Sequence, residues 1–523
     1  MKGERFITTL QNMKIKTIKI KNFRGYKDST SINIKELTAF VGKNDSGKST
    51  VLEALDIFFY DGKGIIKIES DDLNIGARDN GESNIEISVV FTDLPDPIII
   101  DSTNETTLRD EYLLNDEGDL EIVKIYPNGG KVKVYIKAVH PQNSECNNLH
   151  SKTNKELKNI LEKHEIECAD KTKNATIRKA IWDHFSNDLN IADSMIDVSK
   201  GDVKSIWEQI NKYMPFYSLF QSDRKNSDGD SEVQDPLKEA VKQILNTPNL
   251  KQQLDSIASE VYEKLKDVST RTLEKIKEMN PNIANSLSPR IPSVEMLKWP
   301  EVFKGVSITS DNDIPINKRG SGVKRLILLN FFRAEAERRR EESDKANIVY
   351  AIEEPETSQH TNYQKILIKA LLELSKMPNT QILITTHSSN IVKELDFENI
   401  RLIKDDGNQR SITDVELGQL PYVSLNEIAF SAFEEVSPEY HDELYSHLDE
   451  MNLLEEYEKT QEKIEYIRDD KKKLNISKSK YIRHQIHHPE NKENKRYTES
   501  ELKDSIIAMR KFIMEKKTPI IDK

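Results

Sequence analysis

An α/β chain built around a doubly wound parallel sheet is the fold class that this 523-residue sequence predicts. Three segments carry the prediction. Leu37-Thr38-Ala39-Phe40-Val41 runs straight into Gly42-Lys43-Asn44-Asp45-Ser46-Gly47-Lys48-Ser49-Thr50. Asn347-Ile348-Val349-Tyr350-Ala351-Ile352 ends in Glu353-Glu354, and Gln381-Ile382-Leu383-Ile384-Thr385-Thr386 ends in His387. Short, nearly continuous apolar runs fit strands buried on both faces, and ligands of such sheets bind at the strands' carboxyl edge.

The remaining elements follow along the chain. Residues 13–41 alternate in strand fashion through Ile15, Ile18, Ile20, Ile32 and Ile34, so Met13 starts the domain and residues 1–12 read as a short leader. Val51-Leu52-Glu53-Ala54-Leu55 opens a helix. Residues 84–139 supply further strands, among them Ile85–Phe91 and Lys131–Ile136, punctuated by Pro95, Pro97, Gly118 and Gly129-Gly130. Residues 151–290 are polar with helical periodicity, broken by an Asp/Ser/Gly-rich loop at 223–231. A β-like stretch from Val302 to Ile316 leads into Lys318-Arg319-Gly320-Ser321-Gly322 and the apolar-periodic helix Val323–Glu337. The α/β pattern then resumes to about residue 404, and the remainder reads as helical. Four units result: 1–150, an insertion at 151–300, a second α/β half at 301–415, and a helical region at 416–523.

Residues 42–50 fit the G-x-x-x-x-G-K-[ST] phosphate loop. Backbone N–H groups and the positive end of the following helix make a seat for phosphates, with Gly42, Asn44, Asp45, Ser46, Gly47 and Thr50 forming the cradle. Lys48 would reach the β- and γ-phosphates, and the Ser49 hydroxyl would ligate Mg²⁺. Glu353 is assigned to the metal and Glu354 to the base that polarises water; a plain pair of surface glutamates is the alternative. His387 is placed to sense the γ-phosphate, against a purely structural histidine. Ser321 and Gly322 offer a second anion seat at a helix start, which makes sense if it serves a neighbouring subunit's nucleotide; otherwise they cap the helix.

Composition narrows the class. Hydrophobic residues at 36% and charged residues at 32% suit a helix-rich globular protein. No apolar run approaches the roughly 20 residues that cross a bilayer, and Met1-Lys2-Gly3-Glu4-Arg5 leads into no signal-like stretch. Cys146 and Cys168 lack metal-type spacing, so a reducing cytoplasm is expected. The net charge of −12 argues against a uniformly basic nucleic-acid binder. Residues 459–523 nonetheless hold eighteen Lys/Arg against eleven Asp/Glu, either a solvated helical face or a contact surface for nucleic acid or an acidic partner.

At these residues the chain resembles the ABC-type ATPase heads of the RecF/SMC/OLD class. Asn22-Phe23-Arg24-Gly25 looks like that class's first strand-turn, and Gly42–Thr50 resembles its Walker A. Ile348–Glu354 resembles Walker B, Gly320-Ser321-Gly322 the abbreviated signature, and Thr386-His387-Ser388 the switch histidine. Glu353-Glu354-Pro355-Glu356-Thr357-Ser358-Gln359-His360 is especially similar to OLD-family ATPases. The resemblance covers about residues 13–410. It implies a head with an antiparallel β subdomain, ATP and Mg²⁺ as cofactors, and ATP hydrolysis. It also implies a homodimer or higher oligomer in which each signature serine touches the other subunit's γ-phosphate.

Two departures stand out. No glutamine lies between Thr50 and Ile100, so the class's usual Q-loop ligand is expected to be absent, with Asp71 or Asp72 near that place. Residues 405–523 lack the strand-plus-carboxylate pattern of the TOPRIM nuclease domain that follows OLD heads. The 150-residue insertion is interrupted by Pro and Gly, unlike the coiled-coil arms of chromosome-tethering relatives. The chain therefore resembles ATPase subunits of bacterial anti-phage systems of the PARIS, Septu and AbiL types, which imply a separate nuclease or toxin partner.

In the C-terminal region, helices are expected at Leu425–Phe433, at His441–Leu454 followed by a charged helix through Lys473, at Ser479–His488, and from a capping box at Thr498-Glu499-Ser500-Glu501. Arg483-His484-Gln485-Ile486-His487-His488 resembles the R-x4-H motif of HEPN ribonucleases. That resemblance implies His488 as base, Arg483 on the phosphorane and His484 on the phosphate; helix-end capping is the other reading. The leading expectation is a regulatory ATPase of a defence complex. A self-contained ribonuclease and a RecF-like DNA repair ATPase are the alternatives.

Overall fold

The computed structural model describes residues 13–43, 46–95, 98–101, 104–221, 245, 248–279, 347–357, 360–405, 410–414, 424–468 and 471–517. Its strands are β1 (Lys14–Lys21), β2 (Thr30–Asn33), β3 (Leu37–Val41), β4 (Asn84–Thr92), β5 (Ile98–Asp101), β6 (Asn104–Thr106), β7 (Leu120–Pro127) and β8 (Lys133–Pro141). There follow β9 (Ile191–Asp197), β10 (Phe216–Phe220), β11 (Ile348–Glu353), β12 (Thr380–Thr386), β13 (Ile400–Asp405), β14 (Arg410–Asp414), β15 (Lys463–Ile467) and β16 (Lys473–Ser477).

Two six-stranded sheets form the body. The core sheet has the order β10-β11-β12-β3-β13-β14, parallel except for the β13–β14 pair. Every residue of β3, β11 and β12 is buried. One face of the core sheet, through Tyr350, Ile352, Ile382 and Ile384, meets the helices Thr361–Ser375, Ser389–Val392 and Leu425–Phe433. The other, through Tyr217, Val349, Ala351 and Leu383, shares a core with α1 (Lys48–Phe59) and the second sheet. Coverage on both sides is why these strands read as unbroken apolar runs.

The second sheet, β2-β1-β4-β7-β8-β9, is antiparallel. Ile18, Ile20, Ile87, Val89, Ile122 and Ile136 point inward, with Lys16, Lys19 and Lys137 on the other face beside Asp119, Glu121 and Asp193. Alternation of this kind marks a half-covered sheet. A cleft of about 320 Å³ lies on that charged face, away from the phosphate loop, and its lysines already face carboxylates. The sheet also seals the end of α1. Lys124 Nζ donates to Phe58 O at 2.7 Å and Asp61 Oδ1 at 2.6 Å, and Tyr126 OH donates to Ile57 O at 2.9 Å. A cation at a helix C-terminus satisfies carbonyls that have no partner within the helix.

The insertion departs from the helical expectation at two places. Residues 191–197 form β9, a largely exposed edge strand whose apolar residues come in adjacent pairs, which hides it from an apolar-alternation reading. Residues 216–220 form β10, an edge of the core sheet, where Tyr217 OH donates to Leu52 O at 2.6 Å and its ring stacks on Phe59. The helices Asn154–Lys163 and Asn174–His184 enclose a satellite core around Leu157, Leu161, Ile177, Ile181 and Trp182. Cys146 and Cys168 are both free thiols.

Among the described residues the C-terminal region is helical except for one hairpin. The charged helix expected to reach Lys473 stops at Thr460, and β15–β16 follows, turning at Lys471 with φ 60°. Helices Leu425–Phe433, Pro438–Glu450, Lys478–His487 and Glu499–Lys517 surround Tyr440, Leu444, Leu448, Tyr457, Ile482, Ile506 and Met509. The capping box is present: Thr498 N donates to Glu501 Oε2 at 2.9 Å, and Glu501 N to Thr498 Oγ1 at 3.2 Å. Buried Glu427 accepts from Arg510 Nε at 3.0 Å and from Tyr440 OH, fastening helix Leu425–Phe433 to the bundle.

Fully buried Arg178 anchors the insertion, donating to Glu111 Oε2 and Oε1 at 2.8 and 2.9 Å, with His150 Nε2 also 3.0 Å from Oε2. Burial pushes the Glu111 carboxyl up, but the His150 hydrogen bond and the Arg178 guanidinium outweigh it and bring it down to about 2. A carboxyl lowered on folding adds stability above its ordinary value of 4.5 and loses it as pH falls to about 2. Arg178→Ala leaves Glu111 buried without that partner, and a loss of about 3–5 kcal/mol is expected in urea unfolding at pH 7. The wild-type protein is expected to weaken steadily between pH 4.5 and about 2, a decline that Glu111→Gln should flatten.

Candidate functional site

Strand register brings the chemistry to one edge. Val41 pairs with Thr386, and Thr385 pairs with Glu353. The residues that follow, Gly42, His387 and Glu354, therefore emerge side by side from β3, β12 and β11. Inside these fully covered strands a polar side chain must be hydrogen-bonded, as buried Thr38 and Gln381 are, so groups that must reach a ligand gather where the strands end.

The phosphate loop is tightly wound. A Cβ on Gly42 would lie 2.7 Å from Ile403 O and 2.8 Å from Ser46 Oγ. Gly47 has φ +97° and opens α1, its carbonyl accepting from Tyr26 OH at 3.1 Å. Lys48 Nζ curls back onto Gly42 O at 2.9 Å and Lys43 O at 2.6 Å. Ser46 Oγ is buried with no hydrogen-bond partner among the described residues. Ser49 and Thr50 occupy the first turn of α1. A helix N-terminus, a folded-back lysine and an orphaned hydroxyl fit a polyphosphate, and the Ser49 hydroxyl and the Glu353 and Glu354 carboxylates are oxygen donors of the kind that suit a divalent cation. Asn44, Asp45, Ser321 and Gly322 lie outside the described residues.

Glu353 is buried as the last residue of β11. Glu354 takes φ +39°, a conformation costly for a side-chain-bearing residue, and its N–H donates to Thr385 O at 3.0 Å and Thr385 Oγ1 at 3.1 Å. His387, 42% exposed, has Nδ1 at 3.4 Å from Glu354 Oε1 and 3.5 Å from Glu356 Oε1. Glu356 is buried; its Oε1 accepts from Thr386 Oγ1 at 2.7 Å and from His387 N–H at 3.1 Å. Burial raises the Glu356 pKa, against those hydrogen bonds.

Three residues of this edge escape a reading of motifs alone. Glu356 lies in the quoted block but has no role there. Gln221 directly follows β10, one step past the Phe220–Ile352 pair and so beside Glu353, and its Nε2 donates to Glu53 Oε1 at 3.4 Å. Its sequence signal is the β-run Phe216-Tyr217-Ser218-Leu219-Phe220 that ends at this glutamine. Asp72 serves Arg24 instead, accepting from its Nε at 2.8 Å, while Arg24 also pairs with Glu53; Asp71 is exposed. Arg410 lies across the loop: a Cβ on Gly25 would come 2.4 Å, and one on Gly47 2.8 Å, from its Cδ.

The R-x4-H residues divide between two faces. Arg483 Nε donates to Asp442 Oδ1 at 2.8 Å and its guanidinium covers the Tyr445 ring at 4.6 Å. His487 shares Asp442 at 2.8 Å. His484 instead stacks on Tyr466, and His488 faces Glu490 at 3.3 Å. Burial and neighbouring cations lower the His484 pKa.

A family model described as AAA ATPase domain matches residues 13–392. The chain belongs to that family. Endonuclease GajA of Bacillus cereus is 23% identical over 446 residues, covering 77% of this chain and 60% of that protein. This AAA ATPase thus spans less than two thirds of that relative's length. An ATP/GTP phosphatase of Helicobacter pylori is 21% identical over 401 residues, covering 73% of this chain and 87% of its own. The SMC head domain from Thermotoga maritima is 14% identical, covering 77% of this chain and 99% of that one, with a TM-score of 0.32. An SmcHead bound to the C-winged helix domain of ScpA is 16% identical, covering 77% and 98%, with a TM-score of 0.34. Residues 13–392, which hold the phosphate loop, Glu353–Glu354 and His387, are thus the ATPase domain of this AAA-type ATPase. Among the described residues no helix is long and apolar enough to cross a membrane.

Lys48→Ala is expected to abolish ATP binding in a calorimetric titration. Glu354→Gln should keep binding while steady-state turnover falls about 10²–10⁴-fold, the usual worth of a general base. Ordinary turnover in Glu354→Gln would show that another group activates the water.

Proposed function

We propose that this AAA ATPase is the sensor and regulatory subunit of a bacterial anti-phage defence complex, controlling an associated nuclease or toxin through ATP-dependent head dimerisation. The observation that carries the reading is the row formed by the phosphate loop, Glu353–Glu354 and His387 on one sheet edge. With nucleotide bound, Lys48 would leave the loop carbonyls for the β- and γ-phosphates, and Ser49 and Glu353 would hold Mg²⁺, which would screen phosphate charge. Glu354 takes the proton of the attacking water, and His387 hydrogen-bonds the γ-phosphate. Ser321 and Gly322 of a second copy close the site.

Similarity to an endonuclease supports a nuclease-linked role, and the anchoring of the C-terminal region supports a regulatory one. Glu434, capping helix Leu425–Phe433 with φ +56°, accepts from phosphate-loop residue Lys43 and from Lys503 of the last helix at 3.0 Å. Nucleotide binding at the loop therefore has a short path to the bundle that would dock an effector or nucleic acid.

Two experiments test this. Glu354→Gln with ATP should elute as a dimer, and adding Ser321→Arg should return it to monomer while leaving nucleotide binding intact. Purification from the native operon should recover a second protein. Recovery of this chain alone, together with phage resistance from this gene alone, would overturn the regulatory reading.

A further inference from the structure

Glu356 is an anomaly for a surface motif: a carboxyl 3% exposed, three residues past the end of β11. Burying a carboxyl costs several kcal/mol unless its oxygens are used. Its Oε1 is used twice, and both donors, Thr386 Oγ1 and His387 N–H, belong to the neighbouring switch segment. Its Oε2 is buried with no hydrogen-bond partner among the described residues. Thr386 Oγ1 in turn accepts from Ser388 N at 3.0 Å, so one oxygen of Glu356 organises three consecutive residues.

We propose that Glu356 is a positioning residue for ATP hydrolysis, holding the Thr386-His387-Ser388 segment so that the imidazole presents Nε2 to the nucleotide's γ-phosphate. The inference rests on the hydrolytic reading of Glu354 and His387. Geometry separates it from two other roles. A second general base would aim an oxygen at the phosphate loop, whereas Oε1 is turned onto β12's end and already accepts two hydrogen bonds. A purely structural carboxyl would have no reason to face the ring. Here Nδ1 stands 3.5 Å from Glu356 and 3.4 Å from Glu354, outside strong hydrogen-bond length but flanked on one side by both carboxyls. With Nδ1 beside the glutamates, Nε2 is the ring nitrogen that remains for the nucleotide. The partly exposed histidine is therefore gripped through its own backbone N–H, while its ring orientation is set by the paired glutamates.

A residue acting through another must be silent once that other is gone. The test is a double-mutant cycle on the full-length protein with Mg-ATP, using Glu356→Ala, His387→Ala and the double variant. Turnover, KM, nucleotide affinity by fluorescence titration and Tm are measured. Glu356→Ala is expected to lower kcat about 10–100-fold, with ATP affinity held within about twofold. In the His387→Ala background the same change should cost less than about twofold, the range within which coupled loss is absent. Glu356→Gln, whose amide oxygen can accept both hydrogen bonds, should recover most of the rate. Glu356→Asp keeps the charge but withdraws the oxygen by one methylene, and should resemble Glu356→Ala; it replaces that variant if alanine prevents folding. Full additivity in the double variant, or a Glu356→Gln protein as slow as Glu356→Ala, would overturn the positioning role and leave the hydrolytic reading standing. A His387→Ala protein with wild-type kcat would remove the hydrolytic role of His387 itself, and this inference with it.

Discussion

Parallel pairing of β3, β12 and β11 is the constraint on which the rest of the molecule depends. Each strand is buried on both faces, so each is dominated by apolar residues with its few polar side chains buried, and the groups that face a ligand are displaced to strand ends. Burying a large aliphatic side chain stabilises by about 1.5–3 kcal/mol, and eight residues such as Leu37, Val41, Ile348, Ile352, Leu367, Ile382, Ile384 and Leu402 belong to one cluster beneath this edge. A register slip would move the core residues to the wrong face and also misalign the loop, the carboxylates and the histidine. Fold stability and site geometry are thus the same constraint.

The helix Leu425–Phe433 is where the nucleotide head and the C-terminal bundle meet. Ile428 and Ala432 join the core-sheet cluster, while Phe430 joins the bundle's own core. Two ionic contacts secure it, and they are unequal. Glu434, Lys43 and Lys503 are all well exposed, and pairs of that kind contribute about 0–1 kcal/mol. Glu427 is fully buried and tied to Arg510, Tyr440 and Ser431, and breaking such a network costs about 3–5 kcal/mol. Glu427 therefore holds the helix in place. The weak Glu434 contact is the one that a movement of Lys43 could make or break cheaply, which suits a joint that responds to nucleotide.

Much of this was legible in the sequence because the chemistry abuts strongly apolar strands. Lys48, Glu353, Glu354 and His387 each follow a run that only a doubly covered strand explains. Glu356 and Gln221 were harder. Glu356 looks like one more charge after a turn, and its use appears only when β12 brings Thr386 and His387 alongside. Gln221 is separated from the loop by the second sheet and the first part of the insertion, and the polar helices on both sides of β10 mask a five-residue strand. The exposed edge β9 and the β15–β16 hairpin were hidden for a related reason. β9 lacks apolar alternation and exposes Ile191 and Met195, and in the hairpin only Tyr466 and Ser477 are buried, so a charged helix and a charged hairpin share one composition.

The central claim is that one edge of one sheet binds and hydrolyses a nucleotide completed by a second copy of the chain. The most direct measurement is a structure of the Glu354→Gln protein with ATP and Mg²⁺. The account predicts two chains with nucleotide between them, the triphosphate lying on the Lys48 loop of one copy and within hydrogen-bond reach of Ser321 from the other. Nucleotide bound away from Lys48, or Ser321 turned from every neighbouring loop, would contradict it.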